Sequence, residues 1–385
     1  MKKTLLVAAL SGVFATAAHA QSSVTLYGLI DAGITYTNNA GGHTRWQEQS
    51  GAINGSRWGL RGSEDLGGGL KAIFTLENGF NINNGTLGQN SREFGRQAFV
   101  GLTSDQFGGV TLGRQYDSVV DFVGPLALTG TQYGGTSFAH PFDNDNLNNS
   151  FRVNNSVKYT SVNYAGFKFG GMYGFSNQAG QFANNRAYSL GASYNFAGLT
   201  AGVGYLQLNN SVAAGALTNS TNGAVASDNT FVAGRQQTWG AGLNYAFGPA
   251  TAGVVYTQTN LSQTFGIASS AAGQSVSGLN GQSIHFQNFE LNGRYALTPA
   301  LSLAAAYTYT QANFGAGVLP KWGQFNLQSD YALSKRTDVY LQGEYQHVMN
   351  NANGKIGAMI NGQGSGGASS TSNQVAVTAG IRHRF

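Results

Sequence analysis

Polar and apolar side chains alternate with a period of two along nearly the whole chain after residue 23. From Arg57 to Arg61 the order Arg, Trp, Gly, Leu, Arg places both arginines on one face of an extended strand and Trp58 and Leu60 on the other. Lys71, Ile73, Thr75 and Glu77 oppose Leu70, Ala72, Phe74 and Leu76 in the same way. Near the C-terminus Phe325, Leu327 and Tyr331 oppose Gln324, Asn326, Gln328 and Asp330, and Val339, Leu341 and Tyr345 oppose Asp338, Gln342, Glu344 and Gln346. In the last segment Val375, Val377, Ala379, Ile381 and Phe385 share the apolar face, with Thr378, Arg382 and Arg384 opposite. No long segment has a helical period bounded by caps, so the expected fold is all-β.

The connections alternate too. Short turns with related wording recur at 64–69, 105–109, 163–167, 194–199, 244–250, 294–300 and 330–336, each placing Gly, Pro or Ser between two alternating runs. Between them lie longer stretches rich in Asn, Gly and Ser, at 38–52, 81–92, 116–151, 176–186, 209–235, 262–284, 312–320 and 349–373. Fifteen such connections imply about sixteen strands of roughly ten residues, an even number within the range of closed membrane barrels. Both chain ends then fall on the short-turn side, the periplasmic side of such barrels, and the long loops are extracellular.

Composition decides which face meets water. Charged residues are 10% of the chain, against about 25% in an ordinary soluble domain, while aromatics reach 12% with 18 Tyr and 23 Phe. The first twenty residues read as a secretory leader: Lys2 and Lys3, an apolar run from Leu5 to Ala17, then small residues ending at Ala20. Cleavage there starts the mature chain at Gln21 and lowers Lys+Arg from 21 to 19 against 16 acids, so the formal charge falls from +5 to +3. That is too little to argue for nucleic acid. With Cys 0, disulfides, thiol catalysis and Cys-ligated zinc are excluded. After the leader no stretch approaches the ~20 apolar residues of a membrane helix, so a membrane form must be a closed barrel. A lumen of sixteen strands is too wide to fill with side chains. Arg57 and Arg61 then face water inside, and Trp58 and Leu60 face lipid.

At 22–33, 56–80, 94–102, 107–115, 152–161 and the closing 379–385 the sequence resembles the Gram-negative general porins, in particular the trimeric porins of betaproteobacteria and neisseriae. The resemblance covers essentially the whole mature chain. It implies an outer-membrane homotrimer of sixteen-stranded barrels, each a passive channel for small hydrophilic solutes and ions, in contact with outer-membrane lipid and lipopolysaccharide. It also implies that the third long connection, Tyr116 to Phe151, folds into the lumen, and that the terminal Phe385 is read by the barrel assembly machinery.

Candidate chemistry is otherwise sparse. Gly362, Gly364 and Gly367 satisfy a G-x-G-x-x-G spacing without the strand and helix a dinucleotide site needs. Asp143 and Asp145 begin like a calcium loop, but Asn148 and Asn154 stand where Gly and Glu are required. The six histidines have no zinc spacing and there is no nucleophile elbow, so neither a cofactor nor an enzyme is expected. What remains is lumenal charge. Arg57 and Arg61 project from the second strand, and Arg152 and Lys158 share the inward phase of the sixth. Arg96 lies in a run that is apolar on both faces, and the resemblance places it with Arg57 and Arg152 on a basic wall biasing the pore toward anions. Asp117, Asp121, Asp143 and Asp145 of the third loop are expected opposite that wall. The alternative is an exported soluble β-sheet binding protein of lectin type; a plugged transporter is disfavoured because strands begin at Val24.

Overall fold

The computed structural model describes residues 23–210, 223–225, 230–269, 274–276, 279–350, 356–362 and 367–385. The leader expected over 1–20 lies outside the described residues, as does most of the glycine motif at 362–367.

One sheet of extended segments closes on itself. His43–Ser50 and Arg57–Gly67 pair along the same edge of the first strand and are one barrel strand, interrupted at 51–56. Gln274–Val276 pairs only with the overhanging end of the strand before it. The barrel therefore has sixteen antiparallel strands. They are β1 (Ser23–Ala40), β2 (His43–Ser50 and Arg57–Gly67), β3 (Leu70–Gly79), β4 (Gln97–Ser104), β5 (Gly108–Gln115) and β6 (Val153–Thr160). β7 (Phe167–Gly174), β8 (Arg186–Phe196), β9 (Leu199–Asn209), β10 (Phe231–Phe247) and β11 (Ala250–Ser269) follow. β12 (Gln282–Ala296), β13 (Leu301–Asn313), β14 (Lys321–Ala332), β15 (Thr337–Met349) and β16 (Asn373–Arg384) complete the wall. Closure joins Leu29–Thr37 of β1 to Ala376–Arg384 of β16.

Two of the expected long connections are mostly strand. Residues 38–52 make a tight turn at Gly41 and Gly42, with φ of 63° and 96°, between strands that extend past the apolar zone. Likewise β11 runs on to Ser269. Where both faces of a strand are polar, the alternation that marks it disappears, and Asn, Gly and Ser read as loop.

The C-terminus is seated against β1. Gly28 N donates to Phe385 O at 3.1 Å and Phe385 N to Gly28 O at 3.0 Å. A β-carbon on Gly28 would lie 2.4 Å from the Phe385 ring and 2.6 Å from the Arg57 carbonyl, so only glycine leaves room for the terminal ring. Outward side chains form an apolar belt in which Leu26, Val100, Leu190, Val203, Leu291 and Leu341 are all exposed. So continuous a belt suits lipid and not water.

The lumen is not uniformly wet. The segment from Tyr116 to Arg152, between β5 and β6, enters it through helix α1 (Ser118–Phe122) and continues as short 3-10 turns. Asp117 caps α1, accepting from Val119 N at 2.8 Å and Val120 N at 3.2 Å. The helix lies flat on the inner wall of β8 to β10; a β-carbon on Gly202 would stand 2.1 Å from Phe122 O. Beyond it the loop bonds to the far wall. Leu128 N donates to Glu290 at 3.0 Å, Gly134 N to Gln328 at 2.7 Å, and Ser137 Oγ to Glu344 at 2.8 Å. Gln342 and Gln324 return bonds to the carbonyls of Gly134 and Ser137. The inward amides of β12 to β15 are thereby buried under the loop. Toward the long-loop end Phe142 packs with Phe231, Phe286, Phe314, Trp322 and Met359 as an apolar core inside the barrel.

Candidate channel constriction

The loop leaves a passage along the wall of β1 to β6. There a cavity of about 530 Å³ is bounded on one side by Arg57, Glu77, Arg96 and Arg152, and on the other by loop residues including Gly124, Thr129, Thr131, Asn148 and Ser150. Arg57 and Glu77 reach it because both occupy the inward phase of neighbouring strands, β2 and β3. Arg96 does not arrive by strand phase. It precedes β4, whose outward set includes Val100 and Leu102, and continuing that period backwards would point it at lipid. Instead the backbone is still in loop conformation, with Arg96 N donating to Glu77 O at 3.2 Å, and the side chain turns inward.

Glu77 organises the cluster. It accepts from Arg96 Nε at 2.6 Å, Tyr116 OH at 3.2 Å and Tyr27 OH at 3.0 Å, and Arg57 Nε stands 4.0 Å away. Arg96 Nη2 also donates to Tyr116 OH at 3.2 Å, and the Arg152 guanidinium lies over the Tyr116 ring at 5.4 Å. Arg114, itself buried, donates to Gly95 O at 2.7 Å and to Arg152 O at 3.3 Å, which holds the backbone next to Arg96 and at Arg152. Among the described residues, the lining of this cavity holds three guanidinium groups and one carboxylate. Glu77 was legible as inward from its alternation with Lys71 and Thr75, but nothing in the sequence marked it as the partner of these arginines.

The other expected basic residues lie off this cavity. Arg61 is exposed one step further along β2, its guanidinium 5.3 Å from the Tyr27 ring centroid. Lys158 donates to Tyr116 O at 2.9 Å and pairs with Asp121, holding the entry of the loop to β6. It also lines a second cavity of about 530 Å³ on the short-turn side, with Lys168, Thr103 and Thr160.

None of the four loop aspartates lines the arginine cavity. Asp117 caps α1 and accepts from Asn146 Nδ2 at 2.9 Å; burial raises its pKa to about 6. Asp143 accepts from Asn148 N at 3.0 Å and Ser150 N at 3.1 Å, and burial, with Asp145 nearby, also raises it to about 6. Burial raises Asp121 despite Lys158. Asp145 is buried as well, but His140 outweighs that burial and holds it below the usual range. These carboxylates serve donors of the loop itself and, for Asp121 and Asp145, Lys158 and Thr257 of the wall beneath it, so Asp143 and Asp145 are already committed.

His140 has no counterpart in the sequence reading. Its Nδ1 lies 2.6 Å from Asp145 and its Nε2 3.0 Å from Glu290 of β12, with all three side chains buried. Burial opposes the charged ring, yet the two carboxylates prevail and raise its pKa to about 10. Thr257 Oγ1 completes the group on Asp145 at 2.5 Å. At the barrel's other seam Arg382 pairs with Asp330 and Asp338 and donates to Gln132 O at 2.8 Å, tying the loop tip to β16.

The model of the family described as "Gram-negative porin" matches residues 5–353. An outer membrane porin protein of Bordetella pertussis is 35% identical over 424 residues, spanning 100% of both chains. Among solved structures, the anion-selective porin from Comamonas acidovorans superposes with a TM-score of 0.72 at 24% identity, over 95% of this chain and 100% of that one. The trimer form of the outer membrane protein OmpT of Vibrio cholerae gives 0.63 at 16% identity, over 94% and 99%. The soluble lectin-like alternative is thereby set aside, and the chain belongs to the Gram-negative porin family, a channel of the bacterial outer membrane and not an enzyme.

Proposed function

We propose that the arginine cavity is the selective constriction of this porin and that it favours small hydrophilic anions. The observation carrying the reading is the imbalance of charge: Arg57, Arg96 and Arg152 meet a single carboxylate, Glu77, across from an uncharged stretch of loop. Two excess charges about 6 Å from a permeating ion, in water at ~0.1 M salt, give about 0.7 kcal/mol in favour of an anion and as much against a cation. That amounts to roughly a ten-fold preference, and it weakens as salt rises. The similar anion-selective porin lends support, as the trimeric structural neighbour does for a homotrimer. The proposal includes the loop from Tyr116 to Phe151 as the device that narrows the lumen, a leader removed after Ala20, and Phe385 as the signal read during assembly. The test is the reversal potential in a salt gradient of the native channel and of the variant with Arg57, Arg96 and Arg152 all changed to Ser. A variant that assembles normally and keeps the native reversal potential refutes the assignment.

A further inference from the structure

A water-filled lumen calls for polar inward side chains, yet on the short-turn side two large apolar ones face it together. Ile73 of β3 shares the phase of Glu77, and Phe99 of β4 alternates with Val100 and Leu102, which are exposed on the lipid side. Both line the second cavity of about 530 Å³ with Thr103, Lys158, Thr160 and Lys168. This cavity meets the arginine cavity at Gln97, which lines both.

Glycines hollow the wall between these side chains. In the sheet register Gly101 stands between Ile73 and Thr111, Gly109 between Thr103 and Thr160, and Gly113 between Phe99 and Ser156. Two of the three positions cannot be filled. A β-carbon on Gly101 would lie 2.2 Å from Val110 O, and one on Gly113, where φ is 143°, 2.0 Å from Ala98 O. The result is a trough across β4 and β5, with apolar groups at the end nearer the arginine cavity and hydroxyls at the short-turn end. Gly101 and Gly109 are diagonal neighbours on its floor, about 8 Å apart from the strand spacing and rise.

Donors and charge complete the lining. The Thr103 and Thr160 hydroxyls have no hydrogen-bond partner among the described residues. Lys158 gives two of its three ammonium protons to Tyr116 O, at 2.9 Å, and to Asp121, which leaves one. Asp105, on the rim, is paired with Lys71 at 3.3 Å. Lys168 is exposed and makes no ion pair among the described residues.

We infer that the trough is a binding site for a small aromatic carboxylate. The flat ring lies over Gly101 against Phe99 and Ile73, in the offset or edge-on arrangement that aromatic pairs favour. Its carboxylate lies over Gly109, where Thr103, Thr160 and the remaining proton of Lys158 converge, and Lys168 supplies the unpaired charge that draws an anion to this end. Simpler occupants leave part of the lining unmatched: an inorganic anion leaves Phe99 and Ile73 facing water, and an uncharged ring leaves Lys168 without a counter-charge. The site rests on the anion reading of the arginine cavity only for ligand arriving from the long-loop side.

The test records single channels of the assembled native protein in ~0.1 M KCl, with benzoate or acetate added equally to both sides, and reads the concentration that halves the effect on conductance. Benzoate is expected to act at a concentration at least five-fold lower than acetate. Phe99→Thr is expected to close that gap, and Lys168→Gln to weaken both acids about two-fold. Equal potency of the two acids on the native channel overturns the proposal, as does a gap that survives Phe99→Thr, which places the ring elsewhere in the lumen. Unchanged potency of both acids in Lys168→Gln overturns it too. Should Phe99→Thr fail to assemble, Ile73→Thr, a substitution of similar shape, is expected to narrow the gap at least two-fold and decides in its place. The reversal potential of the native channel in KCl alone reads the arginine cavity separately: a channel without anion preference that still separates the two acids refutes that reading and supports this one.

Discussion

Replacing His140 by Ala removes the one cation between Asp145 and Glu290 and leaves two carboxylates buried without it. Breaking a buried pair in this way costs about 3–5 kcal/mol. A second route gives a similar figure: a rise in pKa from 6.5 to about 10, at ~1.36 kcal/mol per pKa unit, corresponds to about 5 kcal/mol. Protonation of the abandoned carboxylates recovers part of this, so the lower end is the expected value. The loss falls on the docking of the loop and not on the barrel, whose strands keep their ladders. In hydrogen–deuterium exchange, peptides from 117–151 should exchange about a hundred-fold faster in the variant, while β14 to β16 remain protected. The sign of the pH dependence follows from the same group. Because its folded pKa is raised, the stabilisation is complete below the unfolded value of 6.5 and is lost as pH rises through about 10. Current noise of the open native channel should therefore grow above pH 10 toward that of the variant at neutral pH. Unchanged exchange across 117–151 in a properly assembled variant would refute the role given to His140.

Three further outcomes are expected. Changing Glu77 to Gln removes the one carboxylate that lines the arginine cavity among the described residues and should raise anion preference by a few-fold in reversal-potential measurements, with a smaller shift at 1 M salt. Changing Gly28 to Val forces a clash with a backbone carbonyl and the terminal ring, and should lower the yield of heat-modifiable barrel several-fold in refolding assays, as deletion of Phe385 should. The intact mass of protein taken from outer membranes should correspond to a chain beginning at Gln21.

The barrel was legible because its outer face answers to one solvent. Leu26, Val100, Leu112, Leu291 and Ile381 must be apolar wherever lipid touches them, so period two survives through the belt and marks every strand there. Above the belt that constraint lapses. Thr44, Gln47 and Glu48 of β2, or Ser262 and Thr264 of β11, are polar on both faces, and their strands were mistaken for loops. Alternation left Arg96 undecided for a related reason, and only the resemblance placed it with Arg57 and Arg152: its position belongs to the turn before β4, and period two carries no information outside the strand.

The inward face is harder to read because two environments want the same residue types there. Arg57 and Gln328 both occupy polar inward positions, and alternation treats them alike. Yet Arg57 lines open space while Gln328 is buried, its Oε1 accepting from Gly134 N and from Gln342 Nε2. What separates them is the course of one loop, set by contacts more than 150 residues apart in sequence, such as Leu128 to Glu290. The same course settles the charges. Asp117, Asp143 and Asp145 looked available to oppose the arginines because a sequence shows carboxylates without their donors. Once folded, each is committed to backbone amides, Asn146 or His140 of the segment that carries it, and Asp145 also to Thr257 of the wall beneath. A loop that satisfied its own amides by other means would turn these acids toward the wall and cancel it. In the proposed reading the wall stays basic because the loop commits its carboxylates to holding its own shape.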